Sequence, residues 1–127
     1  MTPSSSAPLV LVVEDSDAIR AAFTILLEES GYAVAAAATG AEALRLAERR
    51  APELVLLDLG LPDMPGLDVA RRIKANPATA RVPVVALTGR DDDAQRGALM
   101  AAGCAAYLVK PVDTQQLIRS LPGYING

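Results

Sequence analysis

Five short apolar runs, each followed by a stretch in which apolar residues return every three or four positions, set the plan of this 127-residue chain. Leu9 to Val13 is continuously apolar and rich in β-branched residues, as expected of a strand buried on both faces. From Asp17 to Ser30, Ile19, Ala22, Phe23, Leu26 and Leu27 recur at helical spacing, and Gly31 supplies a stop. Tyr32 to Ala36 reads as a weaker, Ala-rich strand nearer a sheet edge. The spacing then predicts a helix over 41–50 that buries Ala43, Leu44 and Ala47, with Pro52 preventing its continuation.

Leu54 to Leu57 forms the third strand pattern, followed by a loop from Leu59 to Gly66 with two prolines and two glycines. A helix over 67–75 carries Val69, Ala70 and Ile73 on one face and ends before Pro77. Pro83 to Leu87 is the fourth strand, running into Thr88-Gly89, and Ala94 to Ala102 is a helix stopped by Gly103. Ala105 to Val109 is the fifth strand, then Lys110-Pro111. A last helix begins near Asp113, with Gln116 as capping-box partner and Leu117, Ile118 and Leu121 inward. Strand and helix alternate five times, which predicts an α/β, doubly wound five-stranded parallel sheet with helices on both faces. One domain over residues 9–121 is expected, flanked by a flexible N-terminal tail, 1–8, and a C-terminal tail, 122–127.

Composition narrows the chemistry. With 51% hydrophobic residues, a chain of this length buries a core without disulfides or structural metal. A formal charge of -3, with arginines scattered singly and in pairs, argues against direct nucleic-acid binding. Cys104 is the only cysteine and histidine is absent, so an internal disulfide, a Cys/His zinc site and histidine acid–base catalysis are excluded. Any chemistry must run on carboxylates, hydroxyls and lysine. No apolar stretch approaches the roughly 20 residues of a membrane span, and Met1 to Pro8 lacks the basic and apolar regions of a secretory signal. A cytoplasmic protein without membrane contact is expected.

Three acids stand at the ends of two of these runs. Glu14 and Asp15 close the first, and Asp58 closes the third. In neighbouring parallel strands their carboxyl ends share one crevice, where open α/β sheets place ligands. Two carboxylates about 4 Å apart repel by roughly 4 kcal/mol at an effective dielectric near 20. Such a cluster calls for a cation. The fourth strand ends in Thr88 and Gly89, and the fifth in Lys110. Singly, each has a plainer explanation: Glu14-Asp15 as a strand end or helix cap, Asp58 as a polar residue after a strand, Lys110 as a solvated loop lysine. It is the joint pattern that points to a site.

With these residues in this order, the chain resembles the receiver domain of two-component response regulators. Pro62 and Gly66 in the loop after Asp58, and Tyr107 three positions before Lys110, belong to the same resemblance. It implies a flavodoxin-like fold with strand order 2-1-3-4-5. It also implies phosphorelay signal transduction, with Asp58 as phosphoacceptor taking a phosphoryl group from a histidine kinase or histidine phosphotransfer protein. Because the chain has no histidine, that donor acts in trans. Docking beside Asp58 through the first helix and the loop at Leu61-Pro62 is expected.

Phosphoryl transfer needs a nucleophile, charge neutralisation and positioning. Asp15, Asp58 and the Gly60 carbonyl are expected to hold Mg²⁺, or Mn²⁺ in its place, with Glu14 acting through a metal-bound water. Thr88 and the Gly89 amide can donate to one phosphoryl oxygen, and Lys110 can pair with another. Thr88 and Tyr107 match the family's switch residues. A cis Lys110-Pro111 peptide is a further implication, since proline lowers the cost of cis. The protein would then be a regulatory phosphoprotein that assists its own phosphorylation and dephosphorylation, and not an enzyme acting on a separate substrate.

Other positions carry less. Asp91-Asp92-Asp93 reads as a cap on the fourth helix, Cys104 as a small buried filler, and Arg90 as facing either the phosphoryl group or solvent. An aspartyl phosphatase would want a second acid where Gly60 stands, and a flavin-binding module a hydroxyl- and glycine-rich loop where Glu14 to Asp17 stand. The alternative that fits better is a receiver-like interaction module that is not phosphorylated. A stand-alone monomer is expected, with dimerisation on phosphorylation, excision from a longer protein, the downstream target and the phosphoryl lifetime left open.

Overall fold

The computed structural model describes residues 7–126. Ten elements alternate: β1 (Leu9–Val13), α1 (Asp17–Glu29), β2 (Ala33–Ala37), α2 (Gly40–Arg50), β3 (Leu54–Asp58), α3 (Gly66–Ala75), β4 (Val84–Thr88), α4 (Asp93–Ala101), β5 (Ala106–Val109) and α5 (Thr114–Asn126). All strand pairs are parallel, in the order β2-β1-β3-β4-β5. The Ala-rich β2 is an edge strand, in keeping with its weak pattern.

Alternation along each strand divides the core in two. Leu11, Val13, Val55 and Leu57 pack with Ala43 and Ala47 of α2 and Val69, Ala70 and Ile73 of α3. Val10, Val12, Leu54, Leu56, Val85 and Leu87 face Phe23 and Leu27 of α1 and Leu117 and Leu121 of α5. The central strands are buried on both faces and hence read as unbroken apolar runs. Helix ends follow local rules. Ser16, Thr39 and Asp92 accept the amides of Ile19, Glu42 and Gln95, and Gly31 and Gly103 take positive φ just beyond α1 and α4.

One expectation is corrected. Of the expected C-terminal tail, residues 122–126 are helical: α5 continues through Pro122 to Asn126, and Gly127 lies outside the described residues. Tyr124 and Ile125 pack against the α1/α5 core, so tertiary burial overrides the missing amide of Pro122. On α1, Ile19 is 45% exposed and Ala22 is exposed, so only Phe23 and Leu27 of the five apolar positions are fully buried. Of the expected N-terminal tail, residues 1–6 lie outside the described residues, while the Pro8 carbonyl accepts the Ala33 amide at the foot of the sheet.

Candidate functional site

The pleated register delivers the site residues to one edge of the sheet. Val13 of β1 pairs with Leu57 of β3, Asp58 with Leu87 of β4, and Thr88 with Val109 of β5. Glu14, Asp58, Thr88 and Lys110 therefore emerge side by side at the carboxyl ends of β1, β3, β4 and β5. Asp58 and Thr88 are themselves the last residues of their strands, one position further than the apolar runs suggest.

Glu14, Asp15 and Asp58 each present a carboxylate oxygen within 4.8 Å of the other two. Glu14 and Asp58 are almost fully buried, whereas Asp15 is exposed. Glu14 accepts the Ser16 amide at 3.1 Å, and its own amide donates to the Ala37 carbonyl. Ser16 caps α1, so neither acid is spent as its N-cap. Arg20 donates to the Glu14 carbonyl at 2.9 Å and fixes the turn that carries both acids. Burial pushes the Glu14 carboxyl up to about 7 against the pull of the Ser16 amide, with Asp58 and Asp15 adding to the rise.

Asp58 is held the other way. Burial opposes its ionisation, but the Gly60 amide at 3.0 Å and the Lys110 ammonium at 2.9 Å outweigh burial, and its carboxyl lies below the ordinary range. Lys110 is placed by its own amide, which donates to the Thr88 carbonyl at 2.8 Å, and the Lys110-Pro111 peptide is cis. The donor set suits a hard divalent cation: carboxylate oxygens, no nitrogen or sulfur, close enough to share one ion.

Around this centre, Gly89 is exposed and a Cβ built on it meets nothing within 4 Å. Gly66 is there for closeness, since a Cβ would lie 2.5 Å from Leu59 Cα and 2.9 Å from the Asp58 carbonyl oxygen. Pro62 is exposed in the same loop. Tyr107 donates its hydroxyl to Asp91 at 2.9 Å, and Arg96 holds the same carboxylate. Arg90 pairs with Asp92 and does not turn inward. Cys104 is half-buried against the α2/α3 core.

Three further contributors are not legible in the sequence. Gln95 of α4 donates its side-chain amide to Thr88 Oγ at 3.1 Å. Asp63 accepts the amides of Gly40 and Ala41, at 2.8 and 3.0 Å, and straps the loop after β3 to the N-terminus of α2. Arg20 is the third. None has a local signal, because each is a polar residue on a helix or turn whose partner comes from elsewhere.

Residues 10–122 match the family described as the response regulator receiver domain. The chain belongs to that family. It is 33% identical to the polar-differentiation response regulator DivK of Brucella ovis over 116 residues, 91% of this chain and 94% of that protein. It is 39% identical to the transcriptional regulatory protein AfsQ1 of Streptomyces coelicolor over 110 residues, 87% of this chain, and spans only 48% of that protein. Among solved structures, a putative response regulator from Chloroflexus aurantiacus superposes with a TM-score of 0.88 at 29% identity, covering 95% of this chain and 99% of that one. The receiver domain of sensor histidine kinase PA1611 from Pseudomonas aeruginosa has a TM-score of 0.87 at 33% identity, with the same coverages. That neighbour was crystallised with a magnesium ion coordinated in its active site cleft. Among the described residues, no helix is long and apolar enough to cross a membrane.

Proposed function

We propose that this receiver domain accepts a phosphoryl group on Asp58 from a phosphohistidine partner and uses it to change the surface around α4 and β5. The observation that carries the proposal is the convergence of Lys110 on Asp58 beside a cluster of three carboxylates. An Asp58 carboxylate oxygen attacks phosphorus, the phosphorus–nitrogen bond to the donor imidazole breaks, and the imidazole keeps the electron pair and takes up a proton. The lowered Asp58 carboxyl keeps the nucleophile ionised at neutral pH. Lys110 and the Thr88 hydroxyl meet charge on the equatorial oxygens, together with the Gly89 amide. Glu14, Asp15, Asp58 and the Gly60 carbonyl would hold Mg²⁺, which neutralises phosphoryl charge when bound. Mn²⁺ would serve in its place. Loss of the phosphoryl group to water uses the same residues, so the protein acts only on its own acyl phosphate and not as an enzyme on a separate substrate.

The donor is a histidine kinase or histidine phosphotransfer protein, since this chain has no histidine. It has a fitting place to dock. A cavity of about 240 Å³ beside the site is lined by Ile19 and Phe23 of α1, Pro111 and Val112, together with Glu14 and Lys110. Exposed Ile19 offers the apolar contact that α1's own core does not use. This work belongs in the cytoplasm, with a monomer as the resting form.

The test is a titration with beryllofluoride, a mimic of the phosphoryl group, followed by amide NMR. With Mg²⁺ present, shifts centred on Asp58, Thr88, Gly89 and Lys110 and spreading to Tyr107 are expected. A spectrum that Mg²⁺ and beryllofluoride together leave unchanged would replace this reading with that of an interaction module that takes no phosphate.

A further inference from the structure

We propose that Gln95 is a positioning residue that latches Thr88 in the resting state and so sets how readily the switch is thrown; this rests on the phosphoacceptor reading above. A threonine hydroxyl has two acceptor positions and one hydrogen to donate. In this chain both acceptor positions are filled, by the Arg90 amide at 3.1 Å and by Gln95 Nε2 at 3.1 Å. The hydrogen has only a long contact, 3.4 Å, to the Arg90 carbonyl. Thr88 is 3% exposed and Gln95 9%, so water does not compete for the bond between them.

Gln95 is itself fixed. Its backbone amide donates to the N-cap carboxylate of Asp92, which fixes the residue's backbone in the first turn of α4. The next residue, Arg96, holds Asp91, and Asp91 accepts the Tyr107 hydroxyl. Two consecutive residues of α4 thus hold both members of the proposed switch, Gln95 directly and Arg96 through Asp91. When Thr88 Oγ moves toward a phosphoryl oxygen, it leaves Gln95. Breaking that bond is part of the work of activation, and its release loosens the turn that also holds Tyr107.

The test compares wild-type protein with Gln95→Met and Gln95→Ala, two replacements that differ in size but both lack the amide. Removing one buried neutral hydrogen bond from the resting state alone should tighten apparent beryllofluoride binding, in Mg²⁺, by about five-fold. Without beryllofluoride, the Thr88 and Tyr107 signals of both variants should lie part of the way along the line joining the wild-type free and bound positions. In the wild type, the Gln95 side-chain amide protons should lose their protection from exchange when beryllofluoride binds. Variants that match the wild type, or that bind beryllofluoride more weakly, overturn the latch while leaving the phosphoacceptor reading in place. A wild type that fails to respond to beryllofluoride overturns both.

Discussion

Lys110 Nζ donates to Asp58 Oδ1 at 2.9 Å, joining residues 52 apart in sequence across the end of β4. Asp58 is the buried partner, and Lys110 remains 40% exposed at its side chain. The lysine is thus free to follow its partner's charge while the carboxylate stays fixed. Because Asp58 is held below the ordinary carboxylate range, it contributes stability that is fully present above that range. This stability disappears as pH falls through the lowered value. In Lys110→Met the pull of the ammonium is lost and only the Gly60 amide and Glu14 still oppose burial, so the Asp58 carboxyl should titrate at higher pH than in the wild type. Carboxyl-carbon NMR reads this directly; an unmoved midpoint would show that Lys110 does not govern Asp58.

Glu14 has the opposite sign. Its carboxyl is pushed up to about 7 from an ordinary 4.5, so its contribution to stability is intact below the ordinary value and is lost as pH rises through 7. Without metal this loss stands uncompensated. A bound cation removes it by favouring the ionised form, and protons then compete with the metal. Calorimetric titration should give Mg²⁺ binding about ten-fold weaker at pH 6 than at pH 8. Equal affinity at both values would mean that Glu14 ionises freely or does not face the ion.

The loop glycines should divide cleanly. A methyl group at Gly66 collides with Leu59 Cα and the Asp58 carbonyl, backbone atoms that cannot step aside. Gly66→Ala should cost about 1–3 kcal/mol in denaturant unfolding and weaken Mg²⁺ binding by displacing Asp58. Gly89→Ala meets open space and keeps its amide, so its stability should stay within about 0.5 kcal/mol of wild type.

Asp63 holds two amides at the start of α2, which keep its carboxyl below the ordinary range. Asp63→Ala should raise hydrogen-exchange rates at Gly40 and Ala41 and broaden the amide signals of the loop from Leu59 to Met64. Unchanged exchange at both amides would show that the helix start needs no outside partner.

At Pro122 the sequence rule and the structure part. The missing amide leaves the Ile118 carbonyl without its helical donor, while Tyr124 and Ile125 hold the last turn onto the core. Pro122→Ala should raise stability by up to about 3 kcal/mol, visible as a higher Tm.

Features written in local patterns are legible in the amino-acid sequence alone. Continuous apolar runs mark the strands because the inner ones are buried on both faces, and Glu14, Asp58, Thr88 and Lys110 stand out because a charge or hydroxyl abruptly ends each run. The strand order comes from family resemblance, since nothing in Leu54 to Leu57 says that it pairs with β1. Gln95, Asp63 and Arg20 are illegible for a related reason. A polar residue on an amphipathic helix or in a turn looks solvated until the partner that another element brings is known. Ile19 misleads in the opposite sense, being apolar at a core spacing yet facing the cavity beside the site.

The most direct test of Asp58 as phosphoacceptor is intact-mass measurement after incubation with acetyl phosphate and Mg²⁺, for wild-type protein and Asp58→Asn. Wild-type protein should gain one phosphoryl group, removable by hydroxylamine as an acyl phosphate is, and Asp58→Asn should fold and gain none. Equal labelling of Asp58→Asn, or a modification that hydroxylamine leaves in place, would contradict the account.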